Sequence, residues 1–157
     1  MKRNPLDSEI SFFIPGLPCK KPWPPSLDEE AINPNCAHTE KLALSEEWAA
    51  QICRAAREWE NARVDGPLEL TLCFWMPRPA SHFSMKDGFC TLREDAPKWH
   101  LVGPSSYALT QFVISVLNRV HIWHDVCQLC AVYVVKGFSN PTGCQVSIAP
   151  IEKGVPD

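Results

Sequence analysis

The chain has 157 residues, 45% of them hydrophobic and 10% aromatic, and its formal net charge is −3. This length predicts one domain over 1–157, with an ordered core over about 10–150 that buries a sizeable apolar interior. The composition excludes wholesale disorder, and the acidic balance weighs against strong non-specific binding to nucleic acid.

Membrane insertion and secretion are not expected. No apolar run reaches the ~18–20 residues that span a bilayer, and the N-terminus lacks the apolar region of a signal peptide. We therefore expect a cytoplasmic protein with no membrane partner. The eight cysteines are scattered, and in a reducing compartment they are interpreted as small apolar residues, with Cys53 and Cys73 in the core.

The first half of the chain predicts a strand, a loop and a helix. The apolar run 10–14 predicts a buried strand that ends at Pro15, and six prolines over 15–36 predict an extended loop. Apolar residues at a 3.6-residue period predict a helix over 39–61, with Ser45 as an alternative start. The periodic residues are Leu42, Ala49, Ile52, Cys53, Ala56 and Trp59.

A strand and a long loop follow. Residues 68–76 alternate between apolar and other side chains, which predicts a strand with one buried face. Residues 77–103 predict a long irregular segment, and loops of this length in compact domains are typically functional or disordered.

The second half predicts one more helix and two strands. A helix is expected over 105–119, capped by Ser105 or Ser106, with an apolar face of Leu109, Phe112, Val113, Val116 and Leu117. Strands over 129–136 and 145–149 flank a turn at 139–143. The order β-α-β-α-β-β predicts an α+β fold in which a single mixed sheet packs with two helices.

The most specific pattern lies between residues 103 and 136. Leu109, Leu117, Trp123 and Gln128 fall without a gap on the signature [KR]-x-D-x-D-N-L-x-K-x-x-x-D-A-L, followed by W-x-D-D-A-Q-V. The chain resembles RusA-type Holliday junction resolvases, and the segments 15–26 and 74–83 resemble the same family. The resemblance implies a RusA-like fold, a homodimer, and a phage or prophage origin.

The residues that carry chemistry in this family are mostly replaced. Its carboxylates fall on Ser105, Tyr107 and Val126, and its lysine on Gln111, while Asp125 alone remains acidic. In the family, converging carboxylates hold Mg²⁺, which activates water for cleavage of DNA. Neutral side chains cannot build that site. We therefore expect a catalytically degenerate relative that uses no cofactor.

The resemblance favours binding of branched DNA, such as Holliday junctions, in recombination or repair. Cationic and histidine side chains on loops and helix ends would meet the phosphates, and Trp23 and Trp99 would meet exposed bases. The candidates are Lys20, Lys21, Arg78, His82, Lys98, His100 and Arg119.

Two alternatives remain open. The first is an inhibitor or interaction protein that reuses the fold to bind a protein partner, for example a host defence factor, which the net charge of −3 favours. The second is an active Mg²⁺-dependent junction endonuclease whose acidic site is displaced. That site would use Asp125, Asp87, Asp95 or Glu94.

A zinc site on His121, His124, Cys127 and Cys130 is a weaker hypothesis. On a helix, successive three-residue steps drift by about 60° around the axis, and on a strand they alternate between faces. Such spacing disfavours the tetrahedral convergence of a closed zinc site. Core cysteines beside two histidines are the favoured interpretation, with Ile122 and Trp123 in the core.

Overall fold

The predicted α+β class is confirmed. The computed structural model describes residues 9–20 and 38–151. Within these ranges the elements are β1 (Ile10–Pro15), α1 (His38–Ala55), β2 (Leu68–Met76), β3 (Phe83–Lys86), β4 (Phe89–Leu92), α2 (Ser106–Val120), β5 (Leu129–Phe138) and β6 (Gly143–Pro150). Short 3₁₀ turns occur at Arg57–Trp59, Ala80–His82 and Val126–Gln128.

Four of the strands form one mixed sheet in the order β1-β6-β2-β5. The β1–β6 and β6–β2 pairs are antiparallel, whereas β2 and β5 are parallel. Because parallel strands need a crossover connection, the chain travels from the end of β2 through a long loop and α2 before it enters β5. The ends of β2 and β5 therefore lie side by side, and β5 forms one edge of the sheet.

The two helices cover one face of this sheet. Alternate residues of β2 from Leu68 to Met76 are buried, and the residues between them are half-buried, as the period-two pattern predicted. The predicted apolar face of α2 is also buried, and Ser105 caps this helix by accepting a hydrogen bond from the backbone N–H of Ala108. Both patterns are confirmed because each periodicity places its apolar residues on the side facing the core.

The predicted end of the first helix was wrong, and so was Ser45 as its alternative start. α1 begins at His38 and ends at Ala55, and Ser45 lies buried within it. Beyond the helix, the backbone N–H groups of Asn61 and Arg63 donate to carbonyls at the end of α2. These tertiary hydrogen bonds replace those that would have continued the helix.

A β-hairpin lies inside the segment predicted to be irregular. β3 and β4 pair antiparallel across Asp87 and Gly88, whose φ angles are 52° and 80°. Positive φ angles at both central residues are the requirement of a type I′ hairpin turn, and Asp-Gly is one of its strongest sequence signals. The sequence therefore contained the information for this hairpin, although only a loop was predicted.

The cysteine predictions were partly wrong. The seven cysteines that the structure describes are free thiols. Cys144 is buried and Cys73 is half-buried, but Cys53 is exposed because α1 turns Trp48 and Ile52 towards the core.

Some expectations fall outside the described residues. These are the contacts predicted for Lys21 and Trp23, the loop over 21–36, and the side chain of Leu42. Among the helices that are described, none has both the length and the apolar character needed to cross a membrane.

Candidate nucleic-acid interface

The loop between β2 and α2 packs around the last residue of β5, Phe138. The guanidinium carbon of Arg78 lies 4.6 Å from the centroid of the Phe138 ring, a cation–π contact. The His82 and His100 rings each meet that ring edge-on, with 5.2 Å between centroids. The parallel pairing of β2 with β5 thus gathers three of the predicted DNA-contacting residues around one aromatic side chain.

Arg78 also connects distant parts of the loop. Its Nη1 donates to the backbone carbonyl of Pro97 at 2.8 Å and lies 3.3 Å from Nδ1 of His82. Because a guanidinium has only donors, Nδ1 of His82 is the acceptor in this contact. The loop is therefore held in place through Arg78, which contacts the protein as well as facing the solvent.

His100 is the most enclosed of the three, with 8% of its surface exposed. Burial, followed by the nearby charge of Lys136, lowers the pKa of His100, so the ring is neutral at pH 7. Its Nδ1 is buried and has no hydrogen-bond partner in the described part of the chain. Lys136 donates from Nζ to the carbonyls of Val102 and Pro104, both at 2.9 Å, and so ties the end of the loop to β5.

These residues surround an open cavity of about 410 Å³, here called the loop pocket. Its lining consists of Pro77, Arg78, Pro79, His82, Pro97, Trp99, His100, Leu101, Val102 and Phe138. The Trp99 side chain is 60% exposed, although an isolated bridge pairs its backbone with Gly137 of β5. The described lining contains no carboxylate, so it combines apolar surface with positive charge.

A second cavity of about 440 Å³ lies on the other side of Pro77 and His100. Residues 17–20 form one of its walls, which brings Lys20 to the same end of the sheet. Lys98 is exposed between two loop-pocket residues. Five of the predicted DNA-contacting residues (Lys20, Arg78, His82, Lys98 and His100) therefore come together at this end.

Arg119 lies at the other end of the molecule. It belongs to the last turn of α2 and lines a groove with Arg54 and Arg57, at the end of α1. Cations at helix C-termini offset the negative end of the helix dipole. This role accounts for Arg119 without any contact to DNA, and the structure separates it from the other candidates.

At the start of α2, the positions that match the family carboxylates have polar roles within the helix. The Oγ atom of Ser105 accepts the capping hydrogen bond from the backbone of Ala108, at 3.1 Å. The exposed Tyr107 hydroxyl accepts a hydrogen bond from Nε2 of Gln111, at 2.8 Å. None of these three neutral groups can supply the anionic oxygen ligands that Mg²⁺ prefers.

Asp125, the one acid among the signature positions, caps the 3₁₀ turn that leads into β5. Its Oδ1 accepts from the backbone N–H of Cys127 at 2.7 Å. Hydrogen bonding from Cys127 lowers the pKa of Asp125, so the carboxylate is ionised at neutral pH. Val126, which follows it, is exposed and offers no ligand.

Gln128 also has a structural role. Its side-chain oxygen accepts from the backbone N–H groups of His124 and Asp125, at 2.8 and 2.9 Å. Its Nε2 donates to the carbonyls of Val64 and Gly66, both at 2.9 Å. The residues that match the family signature here therefore hold the turn together. Trp123 does the same, since it is fully buried and donates to Oδ1 of Asn118.

The two groups of signature positions are far apart within one chain. Ser105 precedes α2 and Asp125 follows it, and a helix of 15 residues is about 22 Å long at 1.5 Å per residue. Pro104 lies beside the end of β5, where it accepts from Lys136, whereas Gln128 immediately precedes the start of that strand. One chain alone does not bring Asp125 close to Ser105 or Tyr107.

Nor do the described residues form another metal centre. In residues 9–20 and 38–151, no three His, Cys, Asp or Glu side chains are grouped so that they could hold a metal ion. His124 instead contacts Asp65 at 2.9 Å, and Cys127 and Cys130 are exposed rather than in the core, contrary to prediction. Ile122 and Trp123 are fully buried, as predicted.

The acids that would form a displaced site are likewise scattered. Asp87 lies in the hairpin turn, and Asp95 forms an ion pair with Arg93 at 2.8 Å. Glu94 is exposed on the loop, and Asp125 caps its turn beyond the far end of α2.

Sequence reasoning missed Phe138, around which the loop packs. The last strand but one was predicted to end at Lys136, whereas β5 continues to Phe138. Its apolar character was a weak signal, but nothing in the sequence indicated that Arg78, His82 and His100 would contact it.

Comparisons with known proteins do not identify the chain. No protein-family model matches it, and no curated protein matches it either.

Proposed function

We propose that this protein is a catalytically degenerate RusA-like protein that binds branched DNA in the cytoplasm, in recombination or repair of phage or prophage origin. The supporting observation is the gathering of Lys20, Arg78, Lys98 and two histidines at one end of the sheet. Cationic side chains on loops contact phosphates, and exposed aromatic side chains such as Trp99 stack on bases. The resemblance to the resolvase signature favours four-way junctions as the kind of DNA that is bound.

Binding is proposed without cleavage. The signature positions carry a serine, a tyrosine and a valine, and the one remaining acid caps a turn. A hydrated Mg²⁺ ion in a phosphoryl-transfer site is commonly held by more than one carboxylate. The arrangement therefore favours recognition of DNA over hydrolysis.

We also propose a homodimer that forms through the free edge of β5. Along this edge Val132, Tyr133 and Val135 are exposed, Tyr133 by 57%, and residues 132–135 carry no charge. An exposed apolar edge strand associates readily unless something covers it. Of this edge, only Gly137 is paired by another described segment, through its bridge to Trp99.

Antiparallel pairing suits the charges at the two ends of β5. Asp65 and Asp125 lie near its start, whereas Lys136 lies near its end. A two-fold axis would place each start beside the partner's end, so opposite charges would meet. The same operation would bring Asp125 of one protomer towards Ser105 of its partner.

The oligomeric state tests this dimer. Tyr133→Arg should give a monomer in size-exclusion chromatography with light scattering, while Met85→Arg, on the hairpin, should not.

The decisive experiment is a gel assay with a synthetic four-way junction and a matched linear duplex, each in Mg²⁺, Mn²⁺ or EDTA. We expect junction-selective binding without cleavage in every buffer.

Lys20→Ala combined with Lys98→Ala should weaken binding. It should also reduce by about two the slope of the logarithm of the binding constant against the logarithm of the salt concentration, because each lysine neutralises one phosphate. Arg54→Ala combined with Arg57→Ala, at the opposite end, is the charge-matched control. Metal-dependent cleavage that Asp125→Ala abolishes would instead support the displaced nuclease.

A specific observation favours the alternative of a protein partner. The β3–β4 hairpin is exposed along its whole length, and one of its faces is apolar. That face carries Phe83, Met85, Cys90 and Leu92, and Met85 is 71% exposed. Exposed apolar patches of this kind mark interaction surfaces. Absence of DNA binding at moderate salt, with capture of one discrete protein that Met85→Lys prevents, would favour this function.

A further inference from the structure

We infer that the loop pocket binds a single nucleobase that has left the base stack of the DNA. The inference rests on the proposed function and adds to it a second mode of contact, besides attraction of phosphates. A pocket that accepts a base needs an aromatic face for stacking, donors for the base edge, and no negative charge. The described lining of the loop pocket meets each requirement.

The stacking surface is Trp99. Its side chain is 60% exposed at the wall of the pocket, whereas its backbone is fixed by the bridge to Gly137. Phe138 cannot serve this purpose, because Arg78 covers its ring and two histidines meet its edge. Because the bridge fixes the backbone of Trp99, only the two side-chain torsions of the indole must be ordered when a base stacks on it.

Arg78 supplies the donors. Its hydrogen bonds to described residues, with Pro97 and His82, both involve Nη1. Nε and Nη2 therefore donate to no described protein group and can reach the acceptor edge of a base. The contact with Phe138 holds the guanidinium plane at one side of the pocket, so the donors are oriented before a ligand arrives.

The size of the loop pocket and the charges around it fit a single nucleobase. The cavity of about 410 Å³ accommodates one base with space for part of its sugar. Lys98 lies next to Trp99 in the sequence, and Lys20 lines the neighbouring cavity, so cations stand on two sides where phosphates would continue. His100, which separates the two cavities, is uncharged at pH 7. A carboxylate ligand would gain from these cations but would leave the Trp99 face unused.

The test compares a duplex that contains one bulged adenine with the matched duplex, measured by fluorescence anisotropy on the full chain. We expect the wild-type protein to prefer the bulged duplex about ten-fold, the value of one stacked base. In Trp99→Ala this ratio should fall to about one, and Trp99→Phe should largely restore it. Phe89→Ala, which removes an exposed aromatic side chain of the hairpin, should keep the full ratio. Circular dichroism and thermal melting establish that each variant is folded.

The outcomes separate this inference from the proposed function. If the wild-type protein binds the four-way junction but has equal affinity for bulged and matched duplexes, the inference fails and the proposed function stands. The inference also fails if Trp99→Ala keeps the preference for the bulge. Absence of binding to all three DNAs overturns both.

Discussion

The two ends of β5 carry different kinds of residue. At its start, Asp125, Gln128 and Trp123 match the family signature, and each is engaged in bonds that hold the turn. At its end, the loop pocket exposes Trp99 and leaves donors of Arg78 without a described protein partner. The positions that resemble the signature therefore have structural roles, while the surface available for binding lies at the other end of the strand.

The substitution with the largest expected effect is Gln128→Ala, at the start of β5. The change removes two hydrogen bonds within the turn and two that join the turn to the segment before β2. At roughly 0.5–1.5 kcal/mol for each net hydrogen bond, we expect the free energy of unfolding to fall by about 3 kcal/mol. Gln111→Ala is the control, because Gln111 is exposed and makes one bond to Tyr107. Urea denaturation should show a loss below about 0.5 kcal/mol for that control.

Arg78→Ala tests the loop end. It removes the hydrogen bond to Pro97 and the contact with Phe138, which together contribute on the order of 1–2 kcal/mol. We expect this loss mainly as faster amide hydrogen exchange over residues 97–104, with little change in β2. Arg78→Lys should protect the loop only in part, since lysine lacks the planar guanidinium. Unchanged exchange in the loop would mean that Arg78 does not hold it.

Substitutions of Asp125 distinguish its structural role as a cap from a role in metal-dependent chemistry. In urea denaturation, Asp125→Ala should lower the stability of the protein because the cap is lost, whereas Asp125→Asn keeps the acceptor and should lower it much less. Because Asn is a poor substitute for a carboxylate ligand, a metal-dependent activity would be lost in both variants. Equal destabilisation by Asn and Ala would contradict the capping role.

The smallest expected effect is a pH dependence from His100. Its pKa is lowered in the folded protein, by burial first and by Lys136 second, so the unfolded chain binds more protons. The contribution of His100 to the free energy of unfolding should therefore be fully present above about pH 6.5, the pKa of histidine in the unfolded chain. It should decline as the pH falls below that value. The slope is limited to one proton. His100→Gln should flatten the dependence of the free energy of unfolding between pH 7 and 5, measured by urea denaturation.

Local pattern accounts for much of the fold. The period of two in β2, the buried face of α2 and a serine cap at position 105 or 106 were all predicted, because each depends on residues close together in the sequence. The hairpin at Asp87-Gly88 was missed although its signal was local. The exposure of Cys53 and Cys127 was also predicted wrongly, since composition does not tell which side of an element faces the core.

What the sequence by itself determined is the two main helices and the four strands of the mixed sheet, because each follows from a local periodicity. Tertiary structure alone decided which residues meet. The order β1-β6-β2-β5 places the loop beside Phe138, and the length of α2 separates Ser105 from Asp125. The physical reason is that backbone hydrogen bonds and side-chain periodicity act over a few residues. The pairing of β2 with β5 joins segments about sixty residues apart, so no local pattern encodes the contacts that it creates.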